Sequence, residues 1–148
     1  MTYQKGFTLI EIIVVLAILT FIVSFGLIID LNFFKSNILR AEQSVIVSTL
    51  EKARSRSVSN MFESAHGFCY VAPNYIVFRD RTTCLPVGAA DEVIPANTTI
   101  ASNPLTTFSP GTIIFSQIAG TTTDATIHIT DGLKSADITI NNEGTIVW

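Results

Sequence analysis

The hydrophobic and polar positions divide this chain into an apolar run, an amphipathic stretch and a half built from short alternating segments. From Ile12 to Ile29, eighteen consecutive residues carry no charge, and Asp30 ends the run. Runs of this length are typical of membrane-spanning helices, and a helix over residues 7–29 would be about 35 Å long. The pattern therefore predicts a transmembrane segment over residues 7–29.

Beyond this run the helical pattern continues, because residues 31–59 contain neither Pro nor Gly. An apolar stripe recurs at spacings of seven, four and three, which is the period of one helix face. The stripe consists of Leu39, Ile46, Leu50 and Ala53, widened by Ile38, Ala41 and Val45. The charged residues assigned to the solvent side are Glu42, Glu51, Lys52, Arg54 and Arg56. We expect one helix from Phe7 to about Val58, whose amphipathic continuation over residues 30–62 packs on a soluble domain.

Residues 65–148 form the β-rich part of the chain, in which short apolar segments alternate with turn residues. Segments 68–71 and 75–78 predict a hairpin, and segments 136–140 and 145–148 predict another. Further strands are expected at 93–94, 98–100, 112–118 and 126–130. The fold class is therefore α+β, with a long N-terminal membrane-spanning helix whose amphipathic half packs on a C-terminal antiparallel sheet domain.

Composition and charge narrow the function classes. The formal net charge of −3 does not indicate a nucleic-acid partner, so none is expected. The small basic cluster Lys52, Arg54 and Arg56 is interpreted as a solvated helix end rather than a nucleic-acid patch. Lys5 precedes the apolar run and Asp30 follows it, which favours a cytoplasmic N-terminus and an extracytoplasmic C-terminal domain. A secretory signal peptide fits poorly, because the apolar run is too long and no small-x-small cleavage site follows it.

One carboxylate, Glu11, lies near the N-terminal end of the predicted span, four residues after the Phe of a Gly-Phe step. A charge there is costly in lipid and marks a functional position. The motif K-G-F-T-L-I-E, residues 5–11, resembles the prepilin signal of type IV pilins and type II secretion pseudopilins. The resemblance implies that a prepilin peptidase removes the leader, residues 1–6, by cutting between Gly6 and Phe7, and that Phe7 is then N-methylated. It also implies that Glu11 pairs with the terminal amine of a neighbouring subunit in a filament.

The residues alone leave other interpretations of Glu11 open. After cleavage Phe7 carries a positive amine at the i−4 position, so Glu11 could neutralise its own helix terminus. The carboxylate could also sit at the membrane interface without any assembly role.

The later motifs H-G-F, Y-I-V-F-R, E-V-I-P, G-T-I-I-F and D-I-T-I-N-N-E-G-T-I-V-W resemble GspH/FimT-type pseudopilins. This resemblance implies a long helix packed on antiparallel sheets and a minor subunit near a filament tip. Major type IV pilins usually carry a proline late in the span, and its absence here points the same way. Some members of the group aid DNA uptake through basic residues after the final glycine, but Gly144 is followed by none.

The two cysteines, Cys69 and Cys84, are too few for a metal cluster and too far apart for C-x-x-C redox chemistry. Outside the cytoplasm they predict a disulfide that closes a loop of about fifteen residues. Two buried thiols are the alternative.

No catalytic residue, metal site or cofactor is predicted. His66 and His128 lie in no metal-binding spacing, so both are interpreted as structural residues, with a solvent-facing position at a strand start open to His66. The sequence thus favours a structural filament subunit that inserts in the bacterial inner membrane and contacts other pilin-like subunits through its N-terminal helix. A pilus-associated DNA-uptake subunit and a bitopic membrane protein displaying a β-rich binding module are the alternatives.

Overall fold

The computed structural model describes residues 6–26 and 31–148, and the chain divides into two compact units, Met1–Phe34 and Lys35–Trp148. In the first unit, helix α1 spans Leu9–Gly26. Its apolar side chains are exposed on every side, from Leu9 at 78% to Val14 at 48%. A helix that is hydrophobic all round is one that lipid or other helices normally cover.

The predicted membrane span over residues 7–29 extends beyond α1. Among residues 6–26 and 31–148, no helix is both long enough and apolar enough to cross a membrane. Residues 27–29 of the predicted span lie outside the described part of the chain. The same is true of the junction at 27–30, where the two helical halves were expected to join.

Helix α2 spans Leu31–Val58, and the predicted core stripe is confirmed. Its four members are at most 5% exposed: Leu39, Ile46, Leu50 and Ala53. The predicted widening is wrong for Ile38 and Ala41, which are exposed, whereas Val47 is buried. Glu42, assigned to the surface, is also buried at 5% exposure. The buried face is therefore rotated towards 42, 46, 49 and 53 relative to the apolar pattern.

Eight strands form two antiparallel four-stranded sheets after α2. The first sheet has the order β3-β2-β1-β5 and contains β1 (His66–Val71), β2 (Asn74–Arg79), β3 (Glu92–Pro95) and β5 (Thr112–Phe115). The second has the order β4-β6-β7-β8 and contains β4 (Thr107–Ser109), β6 (Ala125–Thr130), β7 (Ser135–Ile140) and β8 (Ile146–Val147). Both predicted hairpins, β1–β2 and β7–β8, are confirmed.

One hydrophobic core joins the buried face of α2 to the inner faces of both sheets. Its largest members include Tyr75, Phe68 and Phe115, each at most 1% exposed. Alternate residues along β6 and β7 point into it, which explains the buried Ile127, Ile129, Ile138 and Ile140. The core therefore depends on residues far apart in the chain.

Two strand predictions need correction, and one strand was missed. Residues 98–100 lie in a short helix, α3 (Thr98–Ala101), because the Asn97 side chain caps it by accepting a bond from the Thr99 N–H at 3.0 Å. The predicted strand 112–118 ends at Phe115, and the chain then turns through Ser116, whose N–H donates to the Thr121 carbonyl. Strand β4 was not predicted, because three residues are too few to show an alternating pattern.

Candidate functional site

The predicted cleavage site lies just before the first helical residue. Gly6, Phe7 and Thr8 are not helical, and α1 begins at Leu9. Phe7 is 86% exposed, and an ideal Cβ on Gly6 would meet no atom within 4 Å. Exposed non-helical backbone is the form in which chains are usually cleaved. The Gly6–Phe7 bond therefore lies where a peptidase can reach it.

Thr8 and Glu11 close the N-terminus of α1 as a capping box. The Thr8 N–H and the Thr8 hydroxyl each donate to Glu11 Oε2 at 2.8 Å. In return the Glu11 N–H donates to the Thr8 hydroxyl at 3.4 Å. The spacing Thr-x-x-Glu is a sequence signal for this arrangement, and the sequence analysis overlooked it. Glu11 is thus a capping residue of its own helix in the uncleaved chain, while its predicted role between subunits stays a prediction.

Cys69 and Cys84 form a disulfide, as the sequence predicted, with their Cα atoms 6.1 Å apart. Cys69 lies with Ile76 and Phe78 on the face of the first sheet that points away from α2 and the main core. The disulfide therefore fastens the segment between β2 and β3 over this outer face.

Arg81 holds the same segment in place. It pairs with Asp91 at 2.5 Å, donates to the Cys84 carbonyl at 3.1 Å, and lies 4.9 Å above the Phe78 ring. The Asp91 side chain is only 3% exposed. This ion pair joins the two ends of the segment, and the disulfide attaches the part between them to β1.

A buried polar contact that the sequence analysis missed joins α2 to the sheets. Glu42 Oε1 accepts a bond from the Tyr75 hydroxyl at 2.6 Å and another from the Asn97 N–H at 2.9 Å. Burial, together with the Glu42 carboxylate, raises the pKa of Tyr75 above its ordinary range, so the phenol keeps its proton. No local signal could have found this contact, because Tyr75 lies 33 residues from Glu42.

The basic residues near the end of α2 are mostly committed to partners. Glu92 on β3 accepts from Lys52 and from Arg56, each at 2.5 Å. The Lys52 bond, with a smaller effect from Arg56, holds the pKa of Glu92 below its ordinary value. Lys52 nevertheless stays exposed and Arg56 half-buried, so the cluster lies at a solvated helix end whose two cations are paired with β3.

The two histidines differ in environment. His66 is buried at 2% exposure, so it does not face solvent at the start of β1. Burial, followed by the charge of Arg56, lowers the pKa of His66 below its ordinary value. His128 is partly exposed and lies 2.5 Å from Asp137 on the neighbouring strand. In the part of the chain that the structure describes, no three metal-ligating side chains converge.

Comparison with protein families gives two matches. Residues 1–27 match the prokaryotic N-terminal methylation motif, and residues 43–144 match the type II transport protein GspH. No curated protein and no solved structure gives a significant match. The first match includes the Gly6–Phe7 bond and the capping-box residues Thr8 and Glu11. The second match covers more than two thirds of the chain.

Proposed function

Because this chain belongs to the GspH family of type II transport proteins, we propose that it is a minor structural subunit of a type II secretion pseudopilus or type IV pilus. The observation that carries the proposal is the arrangement of α1. An accessible Gly6–Phe7 step and a capping box precede a helix that is apolar on every side. Such a helix requires lipid or neighbouring helices around it, and a filament of packed helices supplies them.

Maturation by a prepilin peptidase is the first step of the proposal. Cleavage between Gly6 and Phe7 releases residues 1–6 and creates an amine at Phe7. N-methylation keeps the positive charge of that amine. The match to the N-terminal methylation motif over residues 1–27 supports this step.

Insertion in the inner membrane precedes assembly in this proposal. The uncharged run from Ile12 to Ile29 supports a single span over residues 7–29. Lys5 on one side and Asp30 on the other support a cytoplasmic N-terminus. The domain over residues 65–148 would then lie outside the cytoplasm, where its disulfide can form.

Glu11 is proposed to set the register of assembly by accepting the Phe7 amine of a neighbouring subunit. An uncompensated charge in a helix bundle is unfavourable, so each amine needs a carboxylate. The capping box places Glu11 Oε2 at the very start of α1, close in sequence to the position that the amine occupies after cleavage.

The first test is the mature N-terminus. We expect mass spectrometry of the membrane-extracted protein to find a chain that begins with methylated Phe7. A chain that still begins at Met1, in cells with an active prepilin peptidase, would contradict the proposal.

The second test separates the two roles of Glu11 by comparing sheared filaments from Glu11→Ala, Glu11→Gln and Thr8→Ala cells. We expect Glu11→Ala to be processed and inserted but absent from filaments, because the intersubunit partner is lost. Glu11→Gln should give an intermediate yield, since glutamine keeps the capping bond but not the charge.

Thr8→Ala is the matched control, because it removes both hydroxyl bonds of the capping box, keeps the bond from the residue 8 N–H and leaves the carboxylate. We expect it to retain most of the incorporation. If Thr8→Ala and Glu11→Ala lose incorporation equally, Glu11 acts only as a local cap. Normal incorporation of Glu11→Ala would remove the residue from the assembly mechanism.

A further inference from the structure

A groove of about 500 Å³ runs between α2 and β8 within the second unit. Its lining from α2 includes Arg54, Ser55 and Val58, and its lining from the sheet is Thr145 and Ile146. The family match does not assign this groove a role.

The sheet side of the groove is an open strand edge. Strand β8 is the outermost strand of its sheet, and the Asn141 N–H donates to the Thr145 carbonyl at 3.1 Å. Successive residues of a strand direct their backbone groups to opposite edges, so the N–H and C=O of Ile146 point away from β7. Such an edge is a template for another strand.

The edge of the first sheet on the other side of α2 is protected. Strand β3 ends in Pro95, which has no N–H to offer, and Glu92 on it is held by Lys52 and Arg56. Strand β8 has neither feature, and Val147 beside its open edge is 60% exposed. Of these two edges, only β8 is left available for pairing.

The guanidinium of Arg54 is the positive group of the groove, so the groove favours a negatively charged ligand. Its Nε is buried without a hydrogen-bond partner, and its Nη2 makes one long bond of 3.4 Å to the Glu143 carbonyl. Gly144 leaves room for the guanidinium, since a Cβ there would come within 2.9 Å of Nε. Among the described residues no carboxylate pairs with Arg54. Glu51, one turn earlier, also lines the groove, but it is exposed to water, whereas Arg54 is half-buried and its Nε is buried.

We propose that the α2–β8 groove receives an extended segment of a neighbouring filament subunit. The segment pairs with Ile146 as an added strand and places a carboxylate on Arg54. Backbone pairing supplies affinity in such contacts, and side chains in the groove supply specificity. A carboxylate is the group that a guanidinium binds most strongly through paired hydrogen bonds.

A neighbouring filament subunit is the proposed occupant because the helix that lines the groove follows the proposed span in the sequence. The helix that forms one wall of the groove, α2, begins at Leu31, directly after the proposed span. Packing of the span in a filament would bring neighbouring chains close to this helix. The inference therefore rests on the proposed function.

The experiment uses the full chain in cells that assemble filaments, with p-benzoylphenylalanine in place of Ser55, an exposed groove residue. After irradiation, adducts from sheared filaments are mapped by mass spectrometry. We expect an adduct with a non-helical, carboxylate-bearing segment of another pilin-like subunit. Its yield should fall about tenfold in Ile146→Pro, which removes the outward N–H, and in Arg54→Gln.

Two controls match these variants. Ile146→Ala also loses the side chain but keeps the N–H, and Lys52→Gln removes a cation on the other flank of α2. Neither should change the adduct yield. If Ile146→Pro does not fold, as judged by thermal unfolding, Arg54→Gln against Lys52→Gln decides the question.

The outcomes separate the two proposals. Wild-type protein absent from sheared filaments would overturn the proposed function itself. Normal incorporation with no adduct, or with an adduct to a helical segment, a second copy or an exported protein, would overturn the groove inference alone. Equal adduct yields in all variants would do the same.

Discussion

At the scale of single residues, tertiary contacts as well as sequence pattern decide where the polar side chains of this protein lie. Glu42 was assigned to the surface because charged residues usually avoid the interior. It is buried because the Tyr75 hydroxyl and the Asn97 N–H satisfy one of its oxygens. Thr8 and Glu11 show the opposite case, since their spacing alone predicts the capping box that the structure contains.

Tyr75→Phe should destabilise the folded domain. The substitution leaves Glu42 with one fewer donor in a buried site, which typically costs about 1–3 kcal/mol. Denaturant unfolding of the wild type and the variant measures the difference.

Tyr70→Phe is the control for this prediction. Its hydroxyl also makes one side-chain bond, to Ser102 at 2.8 Å, but in an exposed setting. We expect a change within about 0.5 kcal/mol, as is usual for surface substitutions. Equal losses in the two variants would show that burial of the Glu42 contact does not matter for stability.

At the scale of elements, the helix and the hairpins with clear patterns were predicted correctly, whereas the short elements β4 and α3 were not. Helix α2 and both hairpins follow from spacing and turn residues. Strand β4 depends on pairing with β6, which is distant in the chain, and α3 depends on the single cap at Asn97. Neither leaves a pattern long enough to recognise.

Loss of the disulfide should lower the unfolding free energy of the domain without unfolding its main core. Cys69 lies in a separate cluster on the outer face of the first sheet. A closed loop of about fifteen residues contributes roughly 3 kcal/mol by chain entropy. We expect a loss of this order when the protein is unfolded by denaturant in the presence of a reductant.

The double variant Cys69→Ala/Cys84→Ala is the control, because reductant should leave its unfolding midpoint unchanged. Peptide mapping after alkylation without reductant checks the bridge directly. Two freely alkylated thiols in exported protein, or a wild-type midpoint insensitive to reductant, would contradict this prediction.

At the scale of the whole molecule, the α+β class with antiparallel sheets, the family and the N-terminal motif could be predicted from sequence. The pairing of charges could not, because it depends on which elements meet. Lys52 and Arg56 meet Glu92, and Arg81 meets Asp91. Among the described residues these ion pairs hold three cations, each on a partner distant in the sequence.

Stability should fall as the pH drops below 6.5. In the folded state, burial and the Arg56 charge hold the pKa of His66 below its ordinary value of 6.5. The unfolded chain then binds more protons than the folded one, so the unfolding free energy decreases with falling pH. Glu92, with a folded pKa below 4.5, adds a second loss at lower pH.

His66→Gln should flatten the pH dependence between 6.5 and 4.5, whereas His128→Gln, at a partly exposed site, should keep more of it. Unfolding free energies measured across this range test the assignment. A slope that persists in His66→Gln would place the titrating group elsewhere.

The capping box has a consequence for the reversibility of assembly. If Glu11 accepts the amine of a neighbour, the carboxylate must exchange or share the two bonds it holds with Thr8. The net gain at this contact is then a difference between two sets of hydrogen bonds, smaller than either set alone. A subunit that loses its neighbour recovers its cap instead of a bare charge. Exchange of this kind would let the same subunit leave a filament and join another.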